Sequence, residues 1–87
     1  MASRREQWQR VLNAEVKRWS SLSPDQLLAK LPNLDPYEVE LDSKKYQVEV
    51  QLLEDTKTYI HVMVAVDDGC LPSSILPLTD TFITQKT

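Results

Sequence analysis

Along residues 46–52, and again along residues 59–66, polar and apolar side chains alternate almost without interruption. Side chains leave a strand on opposite faces with a period of two, so each run reads as a strand with an apolar face and a more polar one. Residues 37–42 repeat the pattern: Tyr37, Val39 and Leu41 alternate with Glu38, Glu40 and Asp42. Three strands, at about 37–42, 46–53 and 59–66, therefore follow one another as an antiparallel meander.

Helices precede them. At 100° per residue, Trp8, Val11, Leu12, Val16, Trp19 and Leu22 share one sector, while Glu6, Gln9, Arg10, Asn13 and Lys17 lie opposite. This predicts an amphipathic helix over about residues 3–21, with both tryptophans anchoring it to the sheet. The segment SLSPDQLLAKLP predicts a second, short helix over 23–31. Ser23 is its N-cap, Pro24 takes the first helical position, and Gln26 completes a capping box. Pro32 then ends it.

Eighty-seven residues hold one core, so a single domain over 1–87 is expected. The fold class is α+β: two N-terminal helices packed on a three-stranded antiparallel meander. Residues 67–87 form an irregular tail that turns at Asp67, Asp68 and Gly69. Pro72 and Pro77 exclude a continuous helix or a central strand there. An edge strand near residues 81–84 would make the sheet four-stranded.

A one-residue slip turns a strand inside out, so matching apolar faces constrains the pairing. Across the first hairpin Leu41 is expected opposite Tyr46 and Val39 opposite Val48, which leaves residues 42–45 as the loop and sets Glu38 opposite Glu49. The second hairpin is expected to pair even residues with even ones through an odd-length loop. Val50 then meets Ile60 with Glu49 opposite His61, or Val50 meets Val62 with Glu49 diagonal to His61.

Either choice gathers Glu38, Glu49 and His61 on the polar face, beside Tyr59, Met63 and Gln51. Two carboxylates and the chain's only histidine would suit a transition metal or acid–base work. Yet the row has no second histidine, and an open sheet offers no concavity to exclude water. Aromatic and methionine side chains among polar ones match a contact surface better; a solvated face is the plain alternative. Glu38, Glu49, His61, Tyr59, Met63 and Gln51 are therefore the candidate binding residues, with no catalytic, metal-ligating or cofactor-binding residue assigned.

Other features weigh less. Glu15 falls inside the apolar sector of the first helix, where a desolvated carboxylate would mark a functional acid. Pairing with Arg18 or with a tryptophan N–H is the simpler reading. Cys70 follows two aspartates, a poor setting for a thiolate nucleophile. With one glycine in the chain, most phosphate-loop motifs are excluded.

Net charge is −3, unevenly spread: residues 1–20 carry five basic and two acidic side chains, and the rest five basic and eleven acidic. The basic first helix could give weak, salt-sensitive contact with nucleic acid, against the acidity of the sheet. The longest apolar run, residues 62–66, is too short to span a membrane. A lone cysteine and a polar N-terminus suggest a soluble, cytoplasmic protein. The expected function is a non-enzymatic interaction module binding a protein partner, or a second copy of itself, through the polar, acidic sheet face. Nucleic-acid association through the first helix is the alternative, and a metal-dependent acid–base site comes last.

Overall fold

The computed structural model describes residues 4–67 and 78–86. Helix α1 (Arg4–Ser20) leads into α2 (Pro24–Lys30) and a single 3-10 turn, Leu31–Asn33. Strands β1 (Tyr37–Leu41), β2 (Lys44–Asp55), β3 (Tyr59–Asp67) and β4 (Leu78–Gln85) follow. The strands form one antiparallel sheet in the order β1-β2-β3-β4, and the fold is α+β with a fourth strand at the edge.

The start of α2 follows its local chemistry. Ser23 Oγ accepts the Gln26 N–H at 3.2 Å, and Gln26 Oε1 accepts the Ser23 N–H at 3.0 Å, which satisfies two of the donors a helix start leaves open. Pro24 sits at the first turn, where its missing N–H costs nothing.

One face of the sheet packs under the helices. Tyr46, Val48, Val50, Ile60, Val62, Val64 and Val66 are buried there against Trp8, Val11, Leu12, Trp19, Leu27 and Leu31. Each large aliphatic side chain taken from water contributes about 1.5–3 kcal/mol. Helix α1 lies mainly over β3 and β4 and touches β1 only lightly. Trp8 Nε1–H donates to the Val66 carbonyl at 2.7 Å, fastening α1 to β3. Both tryptophans are core residues, 7% and 4% exposed.

The first hairpin is tighter than the alternation predicts. Leu41 pairs with Lys44, Val39 with Tyr46 and Tyr37 with Val48, so Asp42 and Ser43 alone make the turn, with φ of 50° and 65°. Two successive positive φ angles twist a two-residue turn in the same sense as its strands. A shift of two residues keeps every side chain on its face, and it sets Glu40 against Lys45 and Glu38 against Gln47. The like-charged Glu38–Glu49 pair of the expected register is thereby avoided.

The second hairpin also departs from expectation. Val48 pairs with Val66, Val50 with Val64 and Leu52 with Val62, two residues beyond the furthest register considered. Even–even pairing then breaks at a bulge: Leu53 is left over, and Glu54 meets His61 while Asp55 meets Ile60. The bulge consumes one residue and carries the ladder on to the loop, so β2 ends at Asp55 instead of residue 53. Thr56 closes that loop. Its N–H donates to the Tyr59 carbonyl at 2.9 Å, and its Oγ1 accepts the N–H groups of Thr58 and Tyr59.

Strand β4 runs longer than residues 81–84 and extends the sheet instead of lying over it. Its end is clamped to the β2–β3 loop, where Lys86 Nζ reaches Asp55 and the Thr56 carbonyl and its N–H donates to Thr58 O. Asp80, paired with Val64, puts an exposed charge on this edge strand, a device that discourages pairing with another sheet. Of the turn expected at Asp67, Asp68 and Gly69, Asp67 instead ends β3, while residues 68 and 69, Cys70 and both tail prolines lie outside the described residues.

Candidate functional site: the outer face of the sheet

The face opposite the helices is built in rows across β2, β3 and β4. Glu54, His61 and Ile83 make one row; Gln51, Met63 and Thr81 the next; Glu49, Ala65 and Thr79 the third. Tyr59 beside Gln85 closes one end, and Gln47 joins Asp67 to Glu38 at the other. No described helix or strand lies over this face.

All six residues singled out from the sequence occupy this face, but the Glu38–Glu49–His61 row does not form. Glu49 lies opposite Ala65, four residues and about 13 Å along the strand from His61. Glu38 faces Gln47. The carboxylate that His61 meets is Glu54, with Nδ1 3.7 Å from Oε1. The same oxygen accepts the Tyr59 hydroxyl at 3.2 Å, and that hydrogen bond raises the Tyr59 pKa. Glu49 accepts instead from Gln51 Nε2 at 2.9 Å. Among the described residues no three His, Cys, Asp or Glu side chains come together as a metal site.

Two features were missed. The first is the extension of the apolar patch beyond the half-buried Met63: Ile83 is 55% exposed, and the bulge residue Leu53 is 45% exposed. The Leu52–Leu53 doublet, which interrupts the alternation, was the available signal for the bulge. The second is a dip over Ala65, whose methyl group leaves a hollow of about 140 Å³ lined also by Pro36, Gln47, Val48, Glu49 and Asp67. Two carboxylates thus flank a small residue.

No family model matches the chain, and no curated protein and no solved structure matches it.

Among the described residues of the face, Glu38, Glu40, Glu49, Glu54 and Asp67 are set against a single lysine, Lys45. Such a surface attracts cations, and an apolar streak with an acidic border suits an amphipathic basic segment. It assembles no nucleophile–base pair among the described residues.

Glu15 behaves as the simpler reading proposed. It is 6% exposed, lies 3.5 Å from Arg18 and accepts the Tyr37 hydroxyl. The tryptophan N–H goes elsewhere: Trp19 Nε1–H donates to Tyr37 Oη at 2.8 Å. Burial, and then the hydrogen bond to Glu15, push the Tyr37 hydroxyl up to about 12. Arg18 lies over the rings of Trp19 and Tyr37, 5.7 and 5.8 Å from their centroids. One of the five basic side chains of residues 1–20 is thus drawn to the helix–sheet junction. No helix of the described residues is long and apolar enough to cross a membrane.

Proposed function

We propose that this chain is a non-enzymatic protein-interaction module whose outer sheet face seats a basic, amphipathic segment of a partner protein. The observation that carries this reading is the dip over Ala65. It is flanked by Glu49 and Asp67 and adjoins the Met63–Ile83 streak. A lysine or arginine of the partner enters the dip and meets two carboxylates, while neighbouring apolar side chains cover Met63 and Ile83. Charge sets orientation and on-rate here, and the apolar streak supplies the slow dissociation. A cytoplasmic setting agrees with the single cysteine.

Affinity capture from a native lysate, with the wild-type chain and a Glu49→Lys, Met63→Asp double variant side by side, tests this reading. Both positions face outward, so circular dichroism should be unchanged while a specific partner is lost. Equal capture by both proteins overturns it. Self-association that is lost in the variant would make the occupant a second copy of the chain.

A further inference from the structure

On the helical side, where the end of α1 meets the chain entering β1, Arg18, Trp19, Lys30, Asn33, Leu34 and Tyr37 line an open cleft of about 390 Å³. We propose that this cleft binds a small aromatic carboxylate, held by Arg18 and Lys30 over a floor of Trp19, Leu34 and Tyr37.

The charge of the lining favours an anion. Its two ionised side chains are both cations, in a chain whose net charge is −3. Lys30, exposed at the end of α2, has no carboxylate within ion-pair distance among the described residues. Arg18 engages Glu15 at 3.5 Å, yet its side chain is 65% exposed, and a guanidinium carries five N–H donors. The two ring faces and the Glu15 ion pair hold it in place. Its orientation is therefore largely set before a ligand arrives, which lowers the entropy lost on binding. A planar fork of donors matches a carboxylate in two parallel hydrogen bonds.

Helix geometry is the obvious objection, since the C-terminal end of a helix repels anions. At the end of α1 that field is blunted. The Lys17 carbonyl accepts from Ser20 Oγ at 3.2 Å, the Arg18 carbonyl from Ser21 Oγ at 2.7 Å, and the Trp19 carbonyl from the Leu22 N–H at 3.1 Å. The end of α2 runs on into the 3-10 turn, where the Leu34 N–H donates to the Leu31 carbonyl at 3.2 Å.

Size selects the occupant. The volume lies at the small end of ligand pockets, which span about 300–1,000 Å³. One ring with a short carboxylate arm fits, whereas a peptide segment would outgrow the cleft. A one-ring ligand of that size should bind with a dissociation constant in the millimolar range. This site is separate from the outer sheet face, and either can fail without the other.

The probe is 3-phenylpropionate, titrated into nitrogen-15-labelled protein while the two indole N–H signals are followed. Trp19 borders the cleft, and Trp8, bonded to Val66 beneath α1, is the internal control. A saturable Trp19 shift with a silent Trp8 is expected, and 3-phenylpropylamine should produce none. Lys30→Glu should weaken binding about tenfold and Lys30→Arg should retain it. The proposal is overturned if Trp19 shows no saturable shift up to about 10 mM, if amine and acid act alike, or if Lys30→Glu binds as wild type. Binding confined to a peptide with a C-terminal phenylalanine also overturns it, because the occupant would then be a chain end.

Discussion

The Tyr37 hydroxyl donates to the carboxylate of Glu15 across the junction of α1 and β1, and it accepts from Trp19 in turn. A carboxylate only 6% exposed is tolerated because this hydroxyl and Arg18 replace the water it has lost. The pair joins the first helix to the first strand, which α1 otherwise touches only lightly.

Tyr37→Phe removes the donor and leaves Glu15 with Arg18 alone. Urea unfolding should show a loss of about 1–3 kcal/mol. Adding Glu15→Leu should recover part of it, since no buried charge then remains to be satisfied.

Alkaline titration reads the same hydroxyl. Its folded pKa is about 12 against an ordinary value of 10.0. Below pH 10 the hydroxyl is neutral in both states and its contribution is complete. As pH rises from about 10 to 12 the unfolded chain ionises first, so stability must fall across that window. The slope should be shallower in Tyr37→Phe, and phenolate absorbance should lose its highest-pH step.

Tyr46 offers the opposite case. It is fully buried, and its hydroxyl has no hydrogen-bond partner among the described residues. An unsatisfied buried hydroxyl costs free energy, so Tyr46→Phe should leave stability within about 1 kcal/mol of wild type or raise it. A loss as large as that of Tyr37→Phe would show that the Tyr46 hydroxyl has a partner.

The Asp42–Ser43 turn holds two non-glycine residues at positive φ. Ser43→Gly removes a side chain from the left-handed region and should stabilise the protein by about 0.5–1 kcal/mol in the same unfolding measurement. Asp42 is better kept, because its Oδ2 accepts from Gln7 Nε2 at 3.2 Å.

What was legible in the sequence were the features set by local periodicity. The α2 capping box, the α1 stripe and the facing of residues on β1, β2 and β3 follow from side-chain spacing, and each is present. Register is a different quantity, because it depends on turn geometry and on where a strand discards a residue. Asp42 and Ser43 accept positive φ without the usual Asn-Gly signature, and the Leu52–Leu53 doublet marks a break in the alternation without saying which residue the strand discards until Glu54 is seen opposite His61. The first choice parted Glu38 from Glu49, the second parted His61 from Glu49, and together they left the six candidate residues spread over one face. Glu15 was legible as an oddity, but its partner Tyr37 is twenty-two residues away and no periodicity connects them.

The most direct test of the outer face as a binding surface is titration of isotope-labelled protein with a short amphipathic helical peptide carrying lysine and leucine, alongside its glutamate counterpart. Saturable shifts should gather at Ala65, Met63 and Ile83 with the basic peptide only, and Glu49→Lys with Met63→Asp should abolish them. Shifts that fall on α1 instead, or that the acidic peptide reproduces, would contradict the assignment of that face.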